Sequence, residues 1–287
     1  MKTVAPARLW SLLDCRTDAP QSDAPGQRSW IARTAYFTVV LTEIDGQASL
    51  PRTDNPDEYM AVIPAGIRAI AQAGEETLGS DGDALFIVPP GDSTLEVQGK
   101  GMVVRVFSHL ASDLACAAAN QADYARPVGD IAPYRRWPVP EARLRLQCHA
   151  LADHVVPSNG ISRVFRSTNL MLNVMVPYDA PRDPRILKPH SHADYEQITI
   201  CMQGRFAHHL RTPWTVDSTQ WREDAHLEVD SPSTLVIPAR LIHTTQALEA
   251  GCWLIDVFGP PREDFSSIPG FVRNAQDYPM PEPALQE

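Results

Sequence analysis

The sequence predicts an all-β chain built from a duplicated unit, and three observations carry that prediction. The 287 residues include 26 prolines and 15 glycines scattered between short apolar runs, the punctuation of many brief strands joined by turns rather than long helices. Three segments of the first half reappear, in the same order, in the second. His190, His192 and His243 flank apolar runs at spacings that put metal-ligating side chains on strand edges.

Composition sets the outer limits. With 44% hydrophobic and 21% charged residues the chain is an ordinary globular protein, long enough for one large or two medium domains with a sizeable core. The net charge of −10 is dispersed and no Lys/Arg cluster occurs, which argues against nucleic acid and anionic membrane surfaces as partners. A small anionic substrate would therefore need a local basic residue. Cys15, Cys116, Cys148, Cys201 and Cys252 have no paired spacing, and the opening MKTVAPARLW lacks the long apolar stretch of a signal peptide. No run approaches the roughly 18 to 20 apolar residues of a membrane span. The expectation is a reduced, cytoplasmic protein, monomeric or a homodimer.

The repeat appears when the chain is shifted on itself. A shift of 138 residues sets SLPRTDNPDEYMAVIPAG (49–66) against LKPHSHADYEQITICMQG (187–204), so that Pro51 meets Pro189, Glu58 meets Glu196 and Gly66 meets Gly204. FIVPPGDST (86–94) then echoes LVIPARLIH (235–243), and MVVRVF (102–107) echoes WLIDVF (253–258). One match between apolar strands is chance; three in order indicate a duplication. The first copy carries Arg52, Asp54, Tyr59 and Thr94 where the second has His190, His192, Gln197 and His243. That set cannot hold the same cation, so metal is expected in the second copy alone.

The predicted organisation is a metal-free first unit over 1–110, a short helical connector over 111–160 and a metal-binding second unit over 161–287 ending in an arm. The connector rests on the Ala- and Leu-rich SHLASDLACAAANQADYA and on near-helical apolar spacing further on, with Pro138 and Pro140 breaking it into pieces. From Ser267 the tail is polar and Pro-rich and is expected to be an arm or disordered.

The metal site follows from strand geometry. Residues i and i+2 of a strand point to one face, so His190 and His192 can chelate a single cation. Gln197 opens the next apolar run and His243 follows another, completing H-x-H-x4-Q-x6-G and P-x-R-x2-H. Counting back from Gly204 selects Gln197 as the oxygen ligand, because Glu196, the runner-up, lies on the opposite strand face. Both segments resemble the two motifs of the cupin superfamily. The resemblance implies small antiparallel jelly-roll barrels with a divalent transition metal (Zn, Ni, Mn or Fe) in the lumen, and the duplicated chain resembles a bicupin. Gln197 in place of Glu, Arg240 in place of Gly and Ala247 in place of Asn depart from that pattern.

The last strand narrows the resemblance. In WLIDVFGPPREDF, Leu254, Asp256 and Phe258 share a face. A carboxylate in a barrel lumen is costly unless used or paired, so Asp256 is either a functional group or a mouth partner of Arg262. With the three-His-and-Gln set, this segment resembles the KdgF-type cupins, which open the ring of 4,5-unsaturated monouronates. The resemblance covers about residues 169–265. It implies His190, His192, Gln197 and His243 as ligands, with Asp256, Phe258 and Arg262 shaping the substrate site.

The function expected is a metal-dependent, non-redox enzyme acting on a small sugar-acid or carbonyl substrate. An Fe(II)-dependent dioxygenase and a non-catalytic sugar-binding module are the alternatives; the neutral Gln ligand and the Asp/Arg pair favour the first. His208 and His209 are expected on an outward-facing strand with at most one reaching the lumen, Cys201 as a buried inert thiol, and Trp214 and Trp221 as packing for a hairpin or, the less favoured alternative, as a cap on a sugar.

Overall fold

The computed structural model describes residues 8–282. In chain order its strands are β1 (Ser11–Asp14), β2 (Ser22–Ala24), β3 (Gln27–Arg33), β4 (Phe37–Asn55), β5 (Tyr59–Ile63), β6 (Ile67–Ala73), β7 (Glu76–Ser80), β8 (Ala84–Val88), β9 (Gly91–Ser108) and β10 (Gln147–Ala150). The second half adds β11 (Val164–Arg166), β12 (Met171–Val174), β13 (Gln197–Gln203), β14 (Arg205–Arg211), β15 (Ala225–Asp230), β16 (Ser233–Ile237), β17 (Ile242–Ala247) and β18 (Trp253–Phe258). No helix among the described residues is long and apolar enough to cross a membrane.

The first barrel is one nine-stranded sheet, ordered β10-β8-β5-β9-β4-β3-β2, with β6 and β7 leaving it from β9. β4 and β9 are long because each runs through both walls. β9 pairs β5 through 104–107 and β6 through 93–99 while following β4 along its length. The pair turns the corner at Gly46 and Gly99, opposite each other in register with φ of 108° and 143°. A Cβ on Gly99 would lie 2.4 Å from the Gly66 carbonyl oxygen, so the approach of the backbone itself requires glycine.

The second barrel sets a six-stranded sheet, β1-β16-β13-β18-β12-β11, against a three-stranded one, β15-β14-β17. Alternation along β13 sorts its side chains. Ile198, Ile200 and Met202 turn outward and join Trp30, Val39, Leu41, Met60 and Val62 in a core between the barrels, while Cys201 lies inside with Phe206, Cys252 and Leu254. Each fully buried large apolar side chain at that interface contributes about 1.5–3 kcal/mol, so the barrels are fused by apolar burial rather than tethered.

The organisation differs from the expected division in three places. Ser11–Asp14, expected in the first unit, pairs with 233–236 of the second barrel. The connector is helical only in short pieces: Ser112–Ala117 and brief 3-10 turns, while residues 125–146 form neither helix nor strand and Gln147–Ala150 joins the first barrel beside β8. Pro127, Pro133, Pro138 and Pro140 remove backbone donors and fix φ along that stretch, which defeats its helical apolar spacing.

The tail, third, is ordered through the described residues: Val272, Asn274 and Tyr278 are buried. Asn274 brackets Arg166, accepting from its N at 3.0 Å and donating to its carbonyl at 2.7 Å, as Asn120 brackets Arg33 at 2.9 Å twice. NQADY (120–124) and NAQDY (274–278) are thus a further repeated segment, closing each barrel.

Candidate metal centre

Ring nitrogens of His190, His192 and His243 lie within 4.8 Å of one another. Local backbone structure puts them there. His190 and His243 form an isolated antiparallel bridge, His190 N donating to the His243 carbonyl at 3.1 Å and His243 N to the His190 carbonyl at 2.8 Å. Arg240 N donates to the His192 carbonyl at 2.6 Å. Arg240 holds φ 68°, in the left-handed region where the first barrel has Gly91 (φ 105°), so the turn persists without its glycine at some conformational cost.

The donor set fits a divalent transition metal. His243 Nδ1 donates to the Leu241 carbonyl at 2.9 Å and His190 Nδ1 to the Lys188 carbonyl at 3.1 Å, leaving each Nε2 lone pair free. His243 Nε2 and both nitrogens of His192 are buried without a hydrogen-bond partner, which is costly unless a cation takes them. Burial pushes His192 down to about 2, helped by His243 and His190, and pushes His243 down to about 4. Both are therefore neutral lone-pair donors at neutral pH. Tyr195 stacks on His192 with ring centroids 4.4 Å apart, and Phe258 meets it edge-on at 6.0 Å.

Gln197 and Asp256 meet in the same lumen. Gln197 Nε2 donates to Asp256 Oδ1 at 2.7 Å and to Thr199 Oγ1 at 2.8 Å, and Thr199 Oγ1 donates to the same Asp256 oxygen at 2.7 Å. Asp256 Oδ2 and Gln197 Oε1 accept from none of the described residues. Burial pushes the Asp256 carboxyl up against the pull of Thr199, His190 and Gln197. Thr199 was not singled out from sequence, although it lies two residues from Gln197 on the same strand face.

The mouth pairing of Asp256 with Arg262 does not form. Arg262 Nε donates to Asp264 at 2.9 Å, and its guanidinium lies 3.9 Å over the Phe265 ring. Glu196 points away from the histidines, accepting from Arg8 Nη1 at 2.5 Å, Ala35 N at 2.8 Å and the Tyr124 hydroxyl at 2.8 Å. In the first barrel, Arg52 pairs with Asp113 and Asn55, and the Tyr59 hydroxyl lies 3.3 Å from that of Ser93.

One of His208 and His209 reaches the lumen, within the expected limit of one although their strand does not face outward, while Trp214 and Trp221 depart from the packing expected of them. His208 sits with Phe206 and Leu210 on the inner face of β14, fully buried, with Nδ1 2.9 Å from Thr245 Oγ1 and Nε2 3.6 Å from Cys201 Sγ; His209 faces out toward His226. Trp214 and Trp221 stack on each other, centroids 4.2 Å apart, and remain 71% and 44% exposed, because the polar loop around them offers no core to pack. Cys201 is buried, which raises its thiol pKa.

No known family model matches the chain, and no curated protein matches its sequence. Its fold is similar to several solved structures. Oxalate decarboxylase from Lactobacillus farciminis, in a formate complex, aligns with TM-score 0.55 and 13% identity over 90% of this chain and 88% of its own. Protein Ylba from E. coli aligns at 0.52 and 13% over 88% and 92%, and vicilin from hazelnut at 0.55 and 12% over 87% and 86%. The chain therefore has the two-barrel cupin fold, which enzymes and seed storage proteins both use; identities this low speak to fold alone.

Proposed function

We propose that the second barrel is the site of a metal-dependent, non-redox enzyme acting on a small sugar acid, with a 4,5-unsaturated monouronate as the specific substrate. The observation that carries this is Asp256: a carboxyl raised by burial, with one oxygen fixed by Gln197 and Thr199 and the other free, in the lumen of the three-imidazole cradle.

His190, His192 and His243 would hold the metal with Gln197 Oε1, and the bound cation supplies Lewis acidity toward a substrate oxygen. Asp256 Oδ2 takes the anomeric hydroxyl proton as the hemiacetal opens and returns it toward the enol carbon. Gln197 and Thr199 orient that oxygen by holding its twin. Arg262 Nη1, outside the Asp264 pair, binds the substrate carboxylate. Tyr195 and Phe258 supply apolar walls that exclude water.

Turnover of unsaturated uronate by metal-loaded protein, with and without oxygen and after chelation, tests this reading. Equal anaerobic and aerobic rates that vanish on chelation support it. Oxygen uptake with a diketone or phenolic substrate would replace it with the dioxygenase, and saturable sugar-acid binding without turnover with the binding module.

A further inference from the structure

We propose that the first barrel is a binding site for a small carboxylate, centred on Arg105. In MVVRVF, Arg105 takes the place that Asp256 holds in WLIDVF. It lies in register with Val40 and Ala61 and shares the lumen face of β9 with Val103 and Phe107. The guanidinium is therefore directed into an apolar barrel and is only 8% exposed.

No described residue answers its charge. Arg105 Nε is buried without a partner, and the titratable groups that bear on it are the neutral Tyr59 phenol and a second cation, Arg52. Two other buried arginines keep protein acceptors: Arg163 donates to the carbonyls of Val174, Leu151 and Met175 at 2.9–3.1 Å, and Arg166, though its Nε and Nη1 are unpartnered, donates through Nη2 to the Tyr278 and Pro279 carbonyls. A guanidinium this deep, with Nε sealed from solvent and no protein acceptor, is costly to keep, and an anionic ligand lowers that cost.

The surroundings define the ligand. Tyr59 and Phe107 stack at 4.8 Å, and the guanidinium carbons of Arg52 and Arg105 lie 5.2 and 5.7 Å from the Phe107 ring centre. The hydroxyls of Tyr59 and Ser93 lie beside each other. Arg52 and Ser93, which neighbour Phe107 and Tyr59, also line an open cleft of about 340 Å³. Asp113 neutralises Arg52, and the rim residue Asp92 accepts from Asp54 N, so Arg105 holds the unanswered charge. A planar fork with two hydroxyls beside stacked rings and Ala61 suits one carboxylate on a short apolar stem. A phosphate dianion requires more donors than these. The inference is independent of the metal chemistry in the second barrel.

Calorimetric titration of the full metal-loaded chain with acetate, and separately with phosphate, at constant ionic strength tests it. Saturable acetate binding is expected, to persist in His243→Ala and to weaken at least tenfold in Arg105→Met. Without acetate, Arg105→Met should melt higher than wild type, because an uncompensated charge is gone. Should that variant not fold, Ser93→Ala and Tyr59→Phe, each removing one hydroxyl, should weaken acetate severalfold. Acetate binding lost in His243→Ala but kept in Arg105→Met, unchanged affinity in the hydroxyl variants, phosphate preferred over acetate, or no saturable binding would each overturn the proposal.

Discussion

Glu58 and Glu196 occupy the same place in the two repeats, and each is bound by the opposite barrel. Glu58 accepts from Thr168 N at 2.9 Å and the Tyr278 hydroxyl at 2.8 Å, while Glu196 accepts from Ala35 N and the Tyr124 hydroxyl, both at 2.8 Å. Ala35 and Thr168 sit in equivalent turns after β3 and β11, and the two tyrosines close NQADY and NAQDY. The carboxylates form a reciprocal clasp. Because Tyr195 and Gln197 flank Glu196, the first barrel fixes where β13 enters the lumen of the second.

Glu196→Ala leaves the Ala35 N–H, the Tyr124 hydroxyl and Arg8 Nη1 without their acceptor, although Arg8 keeps Asp130, and should lower stability by about 3 kcal/mol. Metal content should not change. Elemental analysis with a denaturant melt checks both; metal loss with an unaltered melt would show Glu196 to be a ligand.

His190→Ala and His243→Ala should each reduce bound metal to traces, whereas Arg52→Ala, at the matching place in the first barrel, should leave it unchanged. Metal retained in both histidine variants would move the site elsewhere.

His208 gives a pH signature. Burial pushes it down to about 4, below the roughly 6.5 of an unfolded histidine. A depressed folded value means that the unfolded chain takes the proton first, so stability is lost as pH falls from about 6.5 toward 4. At pH 5 the loss from this residue is about 2 kcal/mol. His208→Gln should therefore lose less stability than wild type between pH 7 and pH 5; an equal loss in both would contradict the shift.

Local signals made much of this legible in the sequence. Period-two alternation and the turn residues gave the strands, and the chelate H-x-H with the displaced IPARLIH gave a histidine cluster that the fold assembles. Tertiary pairing was not legible. Ser11–Asp14 reads as an apolar strand of whichever sheet is near, and only long-range pairing assigns it to the second barrel. The Ala-rich segment forms a helix only over Ser112–Ala117, where Leu114 packs on the first-barrel core; the Pro-rich stretch beyond it stays irregular until Gln147–Ala150 pairs with β8. Asp256 was expected in the lumen, yet its partners, Gln197 and Thr199, come from β13 rather than from the nearby Arg262.

The central claim is that Asp256 moves a proton beside a metal that does no redox chemistry. The measurement that tests it most directly is anaerobic turnover of an unsaturated uronate by metal-loaded wild type and Asp256→Asn, with metal content measured on the same samples. Asparagine keeps the oxygen that accepts from Gln197 and Thr199 but cannot take a proton, so full metal content with turnover reduced about 10²- to 10⁴-fold is predicted. Undiminished turnover in the variant, or turnover in wild type only when oxygen is present, would contradict the account.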